Sequence, residues 1–283
     1  IAAVANDSPR APLAPVTIAV NASDPGGDDS QLVYRFDCDG DLDYELGPQA
    51  ESTASCSFAT GGTHVVNVEV ADGPGATATG STDVLINRTP TAAVDAPGYD
   101  VVEGASIDLS ASASDPDGDA LSLAWDLDGD GSFETPGATT VFSAADRDGP
   151  SQAHVCFEAI DTFGARAEDC ATVTIANAMP EPGTLSFAPG DTVAIGVEVA
   201  ASLPFSDAGS LDTHAVTWDW GDGTIEAGVA DSGAGLASGT HAYGEVGVYV
   251  VTALLSDDDG EEAEVSHEFV VVFDPDGGSV RGN

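Results

Sequence analysis

The run Asp126-Leu-Asp128-Gly-Asp130-Gly131-Ser-Phe-Glu134 places carboxylates at alternate positions of a glycine-punctuated stretch. Such a series offers hard oxygen ligands on a short, flexible frame. That is calcium chemistry, since the ion takes about six to eight oxygens. Gly131 stands where the loop must turn sharply, and Glu134 takes the ninth place. The twelfth place, where a helix-flanked calcium loop carries a bidentate Glu, is Gly137, and no helix is predicted on either side. The remaining ligands must therefore come from elsewhere or from water. Asp115, Asp117 and Asp119 are the nearest supply, and the amide oxygen of Asn87 is another. An earlier version of the run is Asp37, Asp39, Asp41, Asp43 and Glu45, with Leu42 where glycine would be preferred and with Asp24, Asp28 and Asp29 as helpers. Carboxylates crowded into one loop repel one another unless a cation is present, so both runs are predicted to be metal sites.

Each run is delivered by an aromatic strand: Tyr34 to Phe36 before the first, Leu121, Leu123 and Trp125 before the second. A third strand ends in Trp218-Asp219-Trp220-Gly221-Asp222-Gly223, where the carboxylate series is lost and the Asp side chains are expected to cap backbone N–H groups. Three copies roughly ninety residues apart indicate an array of one small module. Alternating runs such as Val16, Ile18, Val20 and Ile107, Leu109, Ala111 read as half-buried strands, a strand is predicted over Val193 to Val199, and no stretch has a helical period. Trp125, Trp218 and Trp220 sit in strand phase and are read as core rather than as a sugar platform. A recurring Asn-x-x-Pro, at Asn6, Asn87 and Asn177, is taken to mark module starts, because proline resists both helix and ladder pairing. The divisions drawn are 1–88, 89–177 and 178–273, with a tail over 274–283. The fold class is all-β: three tandem Ig-like antiparallel sandwiches of seven or eight strands.

The four cysteines fall as pairs in the first two modules, without zinc-type spacing. A hairpin centred on Phe163 places Cys156 and Cys170 opposite each other, within disulfide reach. Cys38 and Cys56 would close a longer loop around the first acidic run. This usage suits an oxidising compartment. The net charge is −43, from 49 acidic residues against six Arg and no Lys. That excludes nucleic acid and anionic membrane as partners, because both require positive charge. Cation binding, solvation in high salt and plain self-repulsion all remain as origins of the acidity. The chain has no basic-then-apolar leader and no membrane-spanning run, so it reads as a processed piece of an exported protein.

The third module carries Trp218-Asp-Trp-Gly-Asp-Gly-Thr224, then His241-Ala-Tyr243, Gly247-Val-Tyr-Val-Val251 and the acidic turn Asp257 to Gly260. In that order these residues resemble the PKD (polycystic kidney disease) domain family. Modules one and two share the strand order and loop positions but replace the Trp-x-x-Gly-Asp-Gly core with acidic loops, and resemble divergent members. The resemblance implies an extracellular β-sandwich used as spacer, adhesion or accessory-binding module. No nucleophile elbow, zinc-protease helix or phosphate loop is present, and no catalytic residue is assigned. The function expected is therefore a non-enzymatic, calcium-binding extracellular or cell-surface scaffold or adhesion stalk, with surface proteins or polysaccharide as partners. Two other readings stand beside it: the subunit of an extracellular filament built by end-to-end contacts, and the accessory binding region of a secreted hydrolase.

Overall fold

The computed structural model describes residues 1–27, 31–73 and 75–277. The proposed helpers Asp28 and Asp29, and the tail beyond residue 277, lie outside the described residues. The named elements are all strands, and no α-helix occurs among the described residues. No helix among them is long and apolar enough to cross a membrane.

Module one has β1 (Ala3–Asn6), β2 (Pro15–Asn21), β3 (Val33–Asp37), β4 (Leu46–Gln49), β5 (Thr53–Ser57), β6 (Gly62–Ala71) and β7 (Thr77–Ile86). They form a sheet ordered β1-β2-β5 facing one ordered β4-β3-β6-β7. Module two has β8 (Thr91–Val94), β9 (Gly98–Val102), β10 (Ser106–Ser114), β11 (Ser122–Asp126), β12 (Thr135–Pro136), β13 (Thr139–Ser143), β14 (Ser151–Ile160) and β15 (Arg166–Ala176). Its sheets run β13-β10-β8 and β12-β11-β14-β15-β9. Module three has β16 (Glu181–Pro182), β17 (Ser186–Ala188), β18 (Thr192–Ala194), β19 (Glu198–Ser206), β20 (His214–Asp219), β21 (Ile225–Ala227), β22 (Val229–Asp231), β23 (Leu236–Ala242), β24 (Gly247–Asp257) and β25 (Glu262–Phe273). There β16-β19-β23-β22 faces β18-β25-β24-β20-β21.

Alternation decides the layers. Val16, Ile18 and Val20 point inward from β2, and Val66, Val68 and Val70 meet them from β6. Trp125 with Phe142 and Phe157 fills the second core, and Trp218, Trp220 and Tyr243 fill the third. All three tryptophans are fully buried, as core residues should be. Among the described strands the pairing is antiparallel except that β9 runs parallel to β15 and β18 parallel to β25, and Arg10 and Ile86 form an isolated parallel bridge.

Module three has ten strands, not the seven or eight expected of each module, and two further strand-level expectations are corrected. The run Val193 to Val199 is not one strand: β18 ends at Ala194, Gly196 turns the chain at φ 74°, and β19 opens in the opposite sheet. Both halves of the run are apolar because each serves a different layer. Asn6 does not mark a module start either. It lies inside β1, paired with Ile18, and donates through Nδ2 to Thr82 Oγ1 and the Asp83 carbonyl.

Candidate functional site

The acidic loops of modules one and two are built alike. In module two, β11 pairs with β14 and brings Asp126 opposite Cys156, whose disulfide to Cys170 ties β14 to β15. In module one, Asp37 ends β3 and the next residue, Cys38, is disulfide-bonded to Cys56 on β5. A covalent brace therefore stands at the base of each loop. Module three has neither the cysteines nor the carboxylate series. His154, Cys156 and Cys170 also lie together, but the two sulfurs are bonded to each other and offer no thiolate to a metal.

The first Asp of each loop is the hub. Asp126, only 3% exposed, accepts N–H groups from Asp128 (3.2 Å) and Gly129 (2.7 Å) on Oδ1 and from Gly131 (2.9 Å) on Oδ2. Asp37, fully buried, accepts from Gly40 (2.6 Å) on Oδ1, and from Leu42 (2.9 Å) and the Asn67 amide (2.7 Å) on Oδ2. The following carboxylates fold back in step. Asp128 accepts from Asp130 N and Asp130 from Ser132 N, as Asp39 accepts from Asp41 N and Asp41 from Asp43 N. Gly129 and Gly40 share a left-handed conformation, as do Gly131 and Leu42. Leu42, at φ 74° and mostly exposed, holds that conformation without the glycine that suits it.

Burial acts to raise the Asp126 carboxyl, but the N–H bonds from Gly131, Gly129 and Asp128 outweigh it and hold the group below the usual carboxylate range. Asp37 is lowered in the same way: burial opposes, and Asn67 with the Leu42 and Gly40 amides prevails. The Asp39 carboxyl goes the other way. An N–H bond from Asp41 lowers it, but burial and the charges of Asp41 and Glu45 push it up. Hubs kept ionised beside crowded neighbours are a donor set that fits a divalent cation, since one oxygen of each hub, Asp126 Oδ2 and Asp37 Oδ1, accepts a single N–H bond and keeps a lone pair. Ligand atoms of Asp126, Asp128 and Asp130 lie within 4.8 Å of one another, as do those of Asp37, Asp39, Asp41 and Glu45. Glu45 also accepts from Cys38 N, which turns it back over the loop. Glu134 and Asp43 are exposed and belong to neither of these two groups.

Asp115, Asp117, Asp119 and Asn87 do not complete the Asp126 loop. They lie at the other end of β11, a five-residue strand that separates the ends by about 13 Å. Asp115, Asp117 and Asp119 form their own group, and Asp117 is already held by Arg88 through its amide (2.7 Å) and Nε (2.8 Å). Arg88 Nη2 donates to the Pro116 carbonyl as well. Burial acts to raise Asp117, yet Arg88 keeps it low.

Asn87 instead forms a latch between modules. Its Nδ2 donates to Asp161 Oδ2 at 2.7 Å, both side chains being buried. Asp161 shapes the β14–β15 turn, accepting Phe163 N and Ala165 N on Oδ1. The second junction repeats this. Asn177 Nδ2 donates to Asp257 Oδ2 at 3.0 Å, and Asp257 Oδ1 gathers the amides of Asp259, Gly260 and Glu261 in the β24–β25 turn. In the sequence Asp257 stands out only as the start of an acidic turn, and Asp161 only by its place beside the hairpin centre at Phe163. The signal was available in the pair Asn87 and Asn177, each four residues before the first strand of the next module.

The loop of module three is shaped by caps. Asp219 accepts Gly221 N, while Asp222 accepts Thr224 N and meets His241 Nε2 at 2.8 Å. Residues 180–272 match the PKD domain family model. The third module is a PKD domain. Across the whole chain the fold is that of tandem Ig-like domains. The titin I-band fragment I67–I69 superposes with a TM-score of 0.52 at 12% identity, covering 92% of each chain. An E-to-A variant of the same titin domains gives 0.51 with the same identity and coverage. The PKD domain of an M14-like peptidase from Thermoplasmatales archaeon SCGC AB-540-F20 is 21% identical over 34% of this chain and 94% of that one, with a TM-score of 0.28. A comparison with curated proteins found no match. In the PKD module the Trp-x-x-Gly-Asp-Gly residues serve the core: Trp220 stacks on Trp218 and on His241, and its carbonyl accepts the Tyr243 hydroxyl.

Proposed function

We propose that this chain is a non-enzymatic extracellular scaffold or adhesion stalk, whose PKD/Ig-like modules are held in register by junction latches and stiffened by calcium in the Asp126 and Asp37 loops. The observation that supports it most is the repeated Asn-to-Asp latch. A flexible bead string has no use for hydrogen bonds, one buried and one half-buried, that tie each linker to the next module's turn. The acidity disfavours nucleic acid and anionic lipid and leaves surface proteins or polysaccharide as partners. Small-angle scattering and thermal unfolding, in calcium and in EDTA at constant ionic strength, test the reading. Chelation is expected to lower the melting temperature of modules one and two and to broaden the distance distribution. Identical melts and profiles in both buffers would sink it.

End-to-end assembly into a filament is favoured by a separate observation. Asp72, between β6 and β7, likewise gathers backbone amides, accepting Gly75 N and Ala76 N on Oδ1. That carboxylate would seat an amide donor from another copy, as Asp161 and Asp257 seat Asn87 and Asn177 within the chain. Electron microscopy of calcium-loaded protein distinguishes fibres from separate rods.

A further inference from the structure

We propose that the junction between modules two and three is a second kind of cation site, in which Glu103, Asp207 and Asp212 hold one Ca2+ between the modules. The two junctions are related residue by residue, Asn177 to Asn87 and Ala178 to Arg88. At the first junction the acidic loop after β10 is neutralised by the Arg88 guanidinium. At the second, the loop after β19 is also acidic, but Ala178 stands in the arginine's place and contributes only its N–H, to Glu103 Oε1 at 2.6 Å. The positive charge has gone and the negative charges have stayed.

Those charges are buried and close. Glu103 is 0% exposed and takes Gly149 N on its other oxygen at 2.8 Å. Asp207 accepts Gly209 N on Oδ1 and meets His214 Nε2 on Oδ2 at 3.0 Å. Asp212 is 6% exposed, and neither of its carboxylate oxygens has a hydrogen-bond partner. Asn177 Oδ1, at the same junction, is likewise buried without one. A buried carboxylate with no donor is costly to keep ionised, and polar groups of this kind are normally satisfied. Burial, then the charges of Glu103, Asp207, Asp148 and Asp257, push the Asp212 carboxyl up to about 7. Arg147 does not answer them: it donates to the Leu127 carbonyl and lies over the Phe142 ring.

The geometry suits a hard ion. One ligand atom from each of Glu103, Asp207 and Asp212 lies within 4.8 Å of the others. Two oxygens on opposite sides of a calcium ion at about 2.4 Å are separated by that distance. A cleft of about 300 Å³ lined by Asp207, Asp212, His214 and Ser232 opens beside the cluster and gives an ion and its waters a way in. Because Glu103 belongs to module two and both aspartates to module three, an ion here joins the modules directly.

The test is calorimetric titration of the metal-stripped full chain with CaCl2 at pH 8, on the parent protein, Asp212→Asn, Ala178→Arg and the loop double variant Asp37→Asn/Asp126→Asn. Asp212→Asn is expected to remove one site or weaken it about tenfold or more, because affinity follows ligand charge. Ala178→Arg should do the same by returning the guanidinium. Hydrogen exchange should show calcium slowing the Ala178 and Gly149 amides in the parent and the loop variant only. The inference is overturned if Asp212→Asn and Ala178→Arg bind as many ions as the parent with the parent's affinities, or if the loop variant binds none. Should Asp212→Asn fail to fold, Ala178→Arg alone decides. A loop variant that keeps every site counts against the loop reading and leaves the junction site standing.

Discussion

Replacing Asn87 with alanine removes the side chain that latches module one to module two. The lost interaction is a 2.7 Å hydrogen bond to a carboxylate that is 5% exposed. Bonds to charged groups contribute about 1.5–3 kcal/mol. Part of this is returned, since Asn87 Oδ1 is buried without a partner and disappears with the amide. A net loss of about 1.5 kcal/mol remains, roughly a tenfold rise in the undocked population. Asn87→Asp should be worse, because it sets a second carboxylate against Asp161 where the donor stood. Hydrogen exchange reads the effect at the Arg88 amide, which bonds Asp117 only while the junction is docked. Spin labels on modules one and two should show a broader distance distribution. The core amides of β6 and β14 should be unchanged, since the latch belongs to neither core. Unaltered Arg88 exchange and label distances in both variants would refute the idea that the latch holds the modules together.

Asp126→Asn should abolish the calcium-dependent part of module-two stability, about 2.7 kcal/mol at a hundredfold excess over Kd, or about 10–20 °C for a module of this size. Scanning fluorimetry with and without EDTA checks it, and an equal calcium shift in the variant counts against the loop. Leu42→Gly relieves about 1–2 kcal/mol of left-handed strain and gives back about 0.5–1 through the freer unfolded chain. Module one should therefore gain slightly in denaturant unfolding, while Gly131→Leu should cost module two about 1–2 kcal/mol. Asp222 is held below its ordinary 3.8: burial opposes, but the His241 and Thr224 hydrogen bonds prevail. Its folded value lies below the unfolded one, so its stabilisation is present above that unfolded value and lost as pH falls through the folded one. Asp222→Asn should flatten the acid-unfolding profile of module three below about pH 4, followed by circular dichroism.

The parts of this molecule fixed by local pattern were readable before folding. Period-two alternation located β2, β10 and β20, and hairpin symmetry set Cys156 against Cys170, which are paired in the β14–β15 register. The acidic loops declared their carboxylate spacing, but spacing says nothing of which end of a strand a neighbour occupies. Asp115 to Asp119 therefore looked like help for Asp126 although β11 holds them apart. Asn6 misled for a related reason: an Asn-x-x-Pro looks the same inside an edge strand as in a linker. Glu103 and Asp212 gave no signal at all. Each is one carboxylate among 49 acidic residues, and its isolation from water exists only once two modules meet.

The parallel pairs have a consequence under tension. A pull on the two ends of module two draws β9 and β15 past each other, so the pairs from Gly98↔Thr172 to Val102↔Ala176 must all give in shear together. Module three has a shorter clamp, Thr192 to Ala194 against β25, and module one has one isolated parallel bridge, Arg10↔Ile86. The first module is then the one that yields first. Its Cys38–Cys56 bond, 18 residues apart, withholds about 60 Å of chain from the extension, and Cys156–Cys170, 14 apart, withholds about 50 Å in the second. Single-molecule traces taken before and after reduction would show those lengths released, and the module without a disulfide would run out to its full length in both.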